Sequence, residues 1–189
     1  MKIVLISGSP RKTGNTMYAM EACKKAIEEE GIEAEIISLA GKEIKSCIAC
    51  YKCKEIPRCV LPDEANEIMD LLRQSEGLIT GAPVYFGTAR GDLMNLVQRI
   101  GMVSRGNDKF LSWMVGGPIA VGRRGGLSNT YQEMLMFYFI NEMIVPGSDY
   151  WNIVFAGKEE GIAGEDVEGI ENVEKFARNT AKLIKKINA

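Results

Sequence analysis

Hydrophobic and polar positions follow two different patterns along this chain, and the two patterns alternate. Short, continuous apolar runs rich in β-branched residues are typical of strands that are buried on both faces. Such runs predict strands over residues 2–7, 33–39, 77–83, 118–122 and 143–147. Between them, apolar residues recur every three or four positions, as they do on one face of an amphipathic helix.

The helical pattern predicts helices over residues 15–30, 62–74 and 129–142, a further one through Leu93, Leu96, Val97 and Ile100, and a last one through Ile170–Ile187. Alternating strands and helices predict an α/β fold, with a five-stranded parallel sheet covered by helices on both faces. Right-handed crossovers and a loop-to-helix turn after the first strand favour the doubly wound strand order 2-1-3-4-5. We expect one domain over residues 1–189, with the Gly-rich segment 148–165 left unassigned.

Composition and charge limit the class of protein. The chain is 46% hydrophobic and 25% charged, with a net charge of −2, so no basic field would attract nucleic acid or a membrane surface. No run approaches the roughly 18 apolar residues of a membrane span, and the apolar run at the N-terminus is too short for a signal peptide. We therefore expect a cytoplasmic protein whose thiols stay reduced.

The chain contains no histidine. This absence excludes Ser–His–Asp and Cys–His catalysis, as well as zinc sites that mix cysteine with histidine. Any metal site must use sulfur from cysteine or oxygen from Asp and Glu. We expect no catalytic acid or base, because a bound cofactor would carry the chemistry.

A turn-rich loop, SGSPRKTGNT (7–16), connects the first strand to the first helix. Hydroxyl, amide and cationic side chains, together with free backbone N–H groups at a helix N-terminus, suit a phosphate monoester. The candidate residues are Ser9, Arg11, Lys12, Thr13, Gly14, Asn15 and Thr16. The loop matches neither GxxxxGK[ST] nor GxGxxG. The alternative interpretation is a capped helix with surface charge.

Two further loops follow the third and fourth predicted strands, so they should lie at the same sheet edge as the phosphate loop. Their glycines allow close backbone approach, their aromatic side chains offer flat surfaces, and their arginines could stabilise negative charge. The candidates are Pro83, Val84, Tyr85, Phe86 and Gly87 in one loop, and Gly122, Arg123, Arg124, Gly125 and Gly126 in the other. FMN fits these loops better than ATP, because nothing indicates a magnesium site. Tyr85 and Phe86 could instead be core or interface residues.

Four of the five cysteines, Cys47, Cys50, Cys53 and Cys59, fall within thirteen positions. They could form disulfides, a zinc site or an iron–sulfur cluster. Reduced thiols in the cytosol disfavour disulfides, and zinc sites usually consist of two well-separated CxxC pairs. The two-residue gaps are similar to the ferredoxin run C-x2-C-x2-C, so the spacing favours a cluster. Cys23 lies on an apolar helix face and is expected to be a buried thiol.

SGSPRKTGNT, APVYFG and GRRGG, in this order over residues 1 to about 147, resemble the flavodoxin-like NAD(P)H-dependent FMN reductases. With the cysteine segment, the chain resembles the iron–sulfur flavoproteins of anaerobic archaea and bacteria. The resemblance implies a flavodoxin-like fold, FMN and one 4Fe–4S cluster on Cys47, Cys50, Cys53 and Cys59. It places the FMN phosphate near Ser9, Arg11, Asn15 and Thr16, and the ring near Pro83, Val84, Tyr85 and Phe86, with help from the loop 123–126.

The same resemblance implies a homodimer or homotetramer that passes electrons from ferredoxin to a small acceptor, such as oxygen, peroxide or a quinone-like molecule. The apolar stretch 134–140 could belong to the core or to a subunit interface. One position departs from many relatives, because Gln98 precedes Arg99 where they carry Asp before Arg. Two alternatives remain: an NAD(P)H-dependent FMN or quinone reductase without a cluster, and a zinc-stapled binding module without flavin.

Overall fold

The chain folds into six strands and five α-helices, which alternate except where the fourth strand directly follows the third. The computed structural model describes all residues from Met1 to Ala189. The strands are β1 Lys2–Ser7, β2 Glu33–Ser38, β3 Gly77–Tyr85, β4 Thr88–Ala89, β5 Val115–Gly122 and β6 Ile153–Phe155. The helices are α1 Asn15–Glu29, α2 Ala65–Leu72, α3 Gly91–Gly106, α4 Leu127–Ile140 and α5 Val167–Ile187, with short 3-10 helices at Lys52–Lys54 and Ile162–Glu165. No helix is both long enough and apolar enough to cross a membrane.

Five of the strands run parallel in the order β2-β1-β3-β5-β6, and β4 pairs antiparallel with the end of β3. The α/β fold with a parallel sheet was predicted correctly. The prediction of five strands in the order 2-1-3-4-5 was wrong. The chain has a sixth strand, because residues 84–89 fold back as a tight hairpin. A strand of two residues is too short to produce a periodic pattern in the sequence.

The predicted strand over residues 143–147 is also wrong. Ile144 forms only an isolated parallel bridge with Val115. The strand at this edge of the sheet is β6, which pairs with Ala120–Gly122 and lies in the segment left unassigned by the sequence. Pro146 and Gly147 end the apolar run, since proline has no N–H to donate to a ladder.

Helices cover both faces of the sheet. Helices α1 and α5 enclose one apolar core, and α2, α3 and α4 enclose the other. The apolar stretch of α4 serves two surfaces, because Met134 and Tyr138 are buried while Met136, Phe139 and Ile140 are exposed. The Tyr138 hydroxyl anchors the helix by donating to the Gly117 carbonyl at 3.0 Å.

The cysteines lie in a long excursion of the chain between β2 and α2, and a buried ion pair closes the base of this excursion. Arg99 of α3 donates from Nη1 to Asp63 at 2.5 Å, and the two side chains are 1% and 5% exposed. Arg99 also donates to the Lys45 carbonyl at 3.1 Å, while Asp63 accepts the Lys45 N–H at 3.1 Å. Residues before and after the cysteines are thus held to one point on α3.

Burial alone would raise the pKa of Asp63, but hydrogen bonds from Arg99 and from the backbone N–H groups of Lys45 and Ala65 lower it below its usual value. A carboxyl group whose pKa is lower in the folded state stabilises the fold at pH values above its unfolded pKa. That contribution is lost as the pH falls through the folded pKa.

We expect Asp63→Ala to lower the free energy of unfolding at pH 7 by about 3–5 kcal/mol, because it leaves the buried Arg99 charge unpaired. Urea unfolding followed by circular dichroism would measure the loss. The gap between wild type and variant should shrink as the pH falls from about 4, the usual pKa of an aspartic acid, through the lower pKa of folded Asp63. Asp70→Ala, which removes an exposed pair with Arg58, is the control and should cost less than about 1 kcal/mol. A gap that stayed constant down to low pH would contradict this assignment.

Candidate functional site

Loops at the carboxyl ends of β1, β3 and β5 meet around one cleft of about 360 Å³. This is the edge at which doubly wound sheets bind ligands. Ten of the residues singled out in the sequence line the cleft: Ser9, Arg11, Gly14, Asn15, Thr16, Pro83, Val84, Tyr85, Gly122 and Arg123. The structure therefore brings all three predicted loops together.

The other predicted residues lie around this cleft rather than in it. Lys12 and Thr13 are exposed, and the Thr13 hydroxyl donates to Glu160 at 3.1 Å. Phe86 and Gly87 form the tip of the β3–β4 hairpin. Arg124, Gly125 and Gly126 line a neighbouring cleft of about 480 Å³, whose walls include Tyr150, Trp151 and Phe155.

A fourth loop, which the sequence did not reveal, completes the first cleft. Ala156, Gly157 and Lys158 follow β6 and line it. Asn15 holds this loop, because its amide donates to the carbonyls of Gly157 at 3.2 Å and Glu159 at 2.7 Å and accepts the Ala163 N–H at 3.0 Å. Arg11 donates to the Lys158 carbonyl at 3.3 Å. The loop was missed because β6, the strand that delivers it, was not recognised.

The first turn of α1 leaves its backbone donors free at this cleft. The helix begins after Gly14, which has a φ of 125°, and no side chain caps it. Its first turn carries no acidic residue that would compete with an anion. Unsatisfied N–H groups and the positive end of the helix dipole bind phosphates, and Arg11, Arg123 and Lys158 add positive charge. This end of the cleft therefore fits the phosphate of FMN.

The aromatic side of the cleft depends on close contact between two loops. A Cβ atom on Gly126, whose φ is 82°, would lie 2.7 Å from the Cα of Gly87. The two backbones can therefore meet only because residue 126 is glycine. Beside this contact, Tyr85 is half-exposed and Phe86 is fully exposed, with a φ of 52°. Flat apolar surfaces at the rim of a phosphate-binding cleft suit a planar ring.

All four clustered cysteines line one small, apolar cavity together with Arg99, Met102 and Val103. Cys47 and Cys50 are exposed and Cys53 is buried, and none of the four is in a disulfide. Their sulfur atoms do not converge on one point, since no group of three or more Cys, Asp or Glu side chains is placed to hold a single metal ion.

The backbone of the cysteine loop presents free donors near these sulfurs. Ala49 and Tyr51 have positive φ values of 51° and 57°, which cost energy in residues other than glycine. No backbone N–H group from residue 47 to residue 51 donates to another backbone group. Successive N–H groups in such a loop form a concave surface that binds anions. The loop therefore fits a negatively charged centre that is held by thiolates.

Two buried side chains complete this cavity. Burial raises the pKa of the Cys53 thiol, which donates to the Met102 carbonyl at 3.6 Å. Arg99 donates from Nε to Cys59 Sγ at 3.3 Å. In the sequence, Arg99 was noted only because Gln98 precedes it, and its contact with the cysteines was missed. The available signal was its position three residues after Leu96, on the apolar stripe of α3.

The family model for NADPH-dependent FMN reductases matches residues 1–158. An iron–sulfur flavoprotein of Methanocaldococcus jannaschii is 38% identical over 193 residues, with 99% of each chain covered. One from Methanosarcina thermophila is 33% identical, with 99% of this chain and 97% of the relative covered. These matches extend over almost the whole length of both relatives.

Solved structures agree on the fold. RosB, crystallised with 8-demethyl-8-formylriboflavin-5'-phosphate, superposes with a TM-score of 0.79 at 18% identity, over 100% of this chain and 80% of RosB. A WrbA-like flavodoxin from Agrobacterium tumefaciens gives a TM-score of 0.69 at 14% identity, with 98% and 97% covered. The chain therefore belongs to the iron–sulfur flavoproteins of the FMN reductase family, and it is a flavin-dependent oxidoreductase with a flavodoxin-like fold.

Proposed function

We propose that this protein holds FMN in the four-loop cleft and a 4Fe–4S cluster on Cys47, Cys50, Cys53 and Cys59, and passes electrons from ferredoxin to a small acceptor. The observation that carries the proposal is the cavity in which all four cysteines meet a buried cation. The names of the relatives, iron–sulfur flavoproteins, support the same centre.

When bound, the cluster would exchange single electrons and FMN one or two, which couples one-electron donors to two-electron acceptors. The protein would contribute position and electrostatics. Arg11, Arg123 and Lys158 would neutralise the phosphate, and the free N–H groups of the first turn of α1 would bind it. Tyr85 would shield the ring without enclosing it, so that a small acceptor could approach.

A second candidate is an NAD(P)H-dependent FMN or quinone reductase whose cysteines hold zinc or no metal. The match to NADPH-dependent FMN reductases favours this candidate. The same match disfavours the zinc-stapled module without flavin that the sequence left open. Metal content separates the two remaining candidates, because iron and inorganic sulfide belong only to the first.

The first test is Cys53→Ser in protein purified without oxygen. We expect the wild type to contain about four irons and four acid-labile sulfides per chain. The variant should lose most of both, because a cluster needs its four thiolates, and should keep its FMN. Reduction by ferredoxin should then slow more than tenfold, measured from flavin absorbance.

Cys23→Ala is the matched control for this experiment. Cys23 is fully buried in the other core, between α1 and the sheet, so its loss should leave the iron content unchanged. Wild-type protein that contained zinc, or no metal, after oxygen-free purification would contradict the cluster and favour the second candidate.

The second test compares two adjacent glycines in the loop after β5. Gly126→Ala should weaken FMN binding about tenfold, equivalent to about 1.4 kcal/mol, because the new Cβ pushes the Val84–Gly87 loop away from the cleft. Gly125→Ala is the control, since its Cβ would meet nothing within 4 Å. Fluorescence titration of the apoprotein with FMN measures both affinities. Equal affinities for the two variants would count against this cleft as the flavin site.

The third test concerns assembly. Met136, Phe139 and Ile140 form an exposed apolar face on α4. Trp113 is also exposed and lies beside the C-terminal end of this helix, where its backbone N–H donates to the Glu142 carbonyl. We propose that a second copy of the chain covers this face, giving a homodimer or homotetramer. Sedimentation should show a multimer for wild type and a monomer for Phe139→Glu. A monomeric wild type would refute the proposal. Lys182→Glu, an exposed position on α5, is the control and should leave the multimer intact.

A further inference from the structure

Arg99 is the most deeply buried cation of the chain, and its guanidinium group has three polar neighbours. Nη1 faces Asp63 and the Lys45 carbonyl, while Nε donates to Cys59 Sγ at 3.3 Å. The remaining nitrogen, Nη2, is buried without any hydrogen-bond partner. All three polar groups that bind Arg99 thus come from the cysteine excursion or its base.

An unpaired N–H group on a buried cation is costly, because the donor has lost its hydrogen bond to water and gained none in return. Such a cost is common where a group is kept for function rather than for stability. Arg99 lines the cysteine cavity, so the side chain with the unmet donor is also the one that touches a thiol. This combination points to a negatively charged occupant of the cavity.

We propose that Arg99 is a positioning residue that raises the reduction potential of the redox centre on the four cysteines, by donating a hydrogen bond to Cys59 and holding a positive charge beside it. This inference rests on the cluster proposed above. Reduction adds negative charge to the centre and its sulfurs, and hydrogen bonds to the ligand sulfurs favour the reduced form. The Arg99 side chain is 1% exposed, so its charge is screened by solvent less than a surface charge would be.

Asp63 fixes the orientation of this charge. Its carboxylate binds the Nη1 side of the guanidinium, and the Nε side faces the sulfur. The pair therefore acts as a dipole with its positive end at Cys59. Asp63 is itself held by the backbone N–H groups of Lys45 and Ala65 at 3.1 Å, so the dipole cannot easily reverse.

Removing the Asp63 charge alone and removing both charges of the pair should shift the potential in opposite directions. Asp63→Asn leaves the Arg99 charge uncompensated and should raise the potential of the centre. The double variant Arg99→Met/Asp63→Asn removes both charges, which avoids an unpaired buried charge, and should lower it. Arg99→Lys keeps the charge without the planar fork and should lie between wild type and the double variant.

The experiment uses the full-length chain with its flavin, purified without oxygen. Iron and sulfide contents are measured first, and the potential of the centre follows from a redox titration monitored by electron paramagnetic resonance. At the potential where half of the wild-type centre is reduced, the ratio of reduced to oxidised centre in the double variant should be at least tenfold lower. For a one-electron centre this equals a midpoint potential that is lower by about 59 mV. Arg178→Met is the matched control, because Arg178 is ion-paired on the opposite face of the sheet.

Each outcome has a distinct meaning. Wild-type protein without iron and sulfide would refute the proposed function itself. If the wild type holds the centre but the ratio of reduced to oxidised centre changes less than twofold in every Arg99 and Asp63 variant, the inference alone would be overturned. Loss of the centre from all three variants would also overturn it, because the pair would then serve only to assemble the loop. Shifts of opposite sign in Asp63→Asn and the double variant would support it.

Discussion

The buried ion pair between Arg99 and Asp63 determines where the cysteine excursion lies. The excursion contains no strand and only one turn of 3-10 helix, so it has few backbone hydrogen bonds of its own. The ion pair joins its two ends, and Asn66 exchanges two hydrogen bonds with the backbone of Cys59, at 2.8 and 2.9 Å. Side chains of α2 and α3 thereby replace the sheet ladder that the segment lacks.

Helix α3 also connects the two candidate sites. It begins at Gly91, directly after the β3–β4 hairpin that forms the aromatic rim of the cleft. Asn95, one turn later, binds Ser46 and the Ile44 carbonyl, and Arg99 lies at the cysteine cavity. Gly91 and Arg99 are about 12 Å apart along the helix axis, at 1.5 Å per residue. One rigid element therefore fixes the distance between the flavin cleft and the sulfur atoms.

The sequence predicted the long elements because their patterns extend over many residues. Strands β1 to β3 and the stripe of α5 are examples, and the convergence of three loops followed from the parallel sheet. The two- and three-residue strands β4 and β6 have no such pattern, since tertiary pairing alone defines them. The roles of Asn15 and Arg99 depend on partners 148 and 40 residues away, which local spacing cannot reveal.

The pair is also informative because stability alone does not explain it. Burying two charges costs solvation energy, and well-packed apolar side chains of similar volume often stabilise a core equally well or better. An apolar pair at positions 63 and 99 could close the base of the excursion, but it would give Cys59 no donor and leave no positive charge beside the sulfurs. An arginine that is 1% exposed and still has an unmet donor is better explained by the proposed negatively charged occupant of the cavity than by stability.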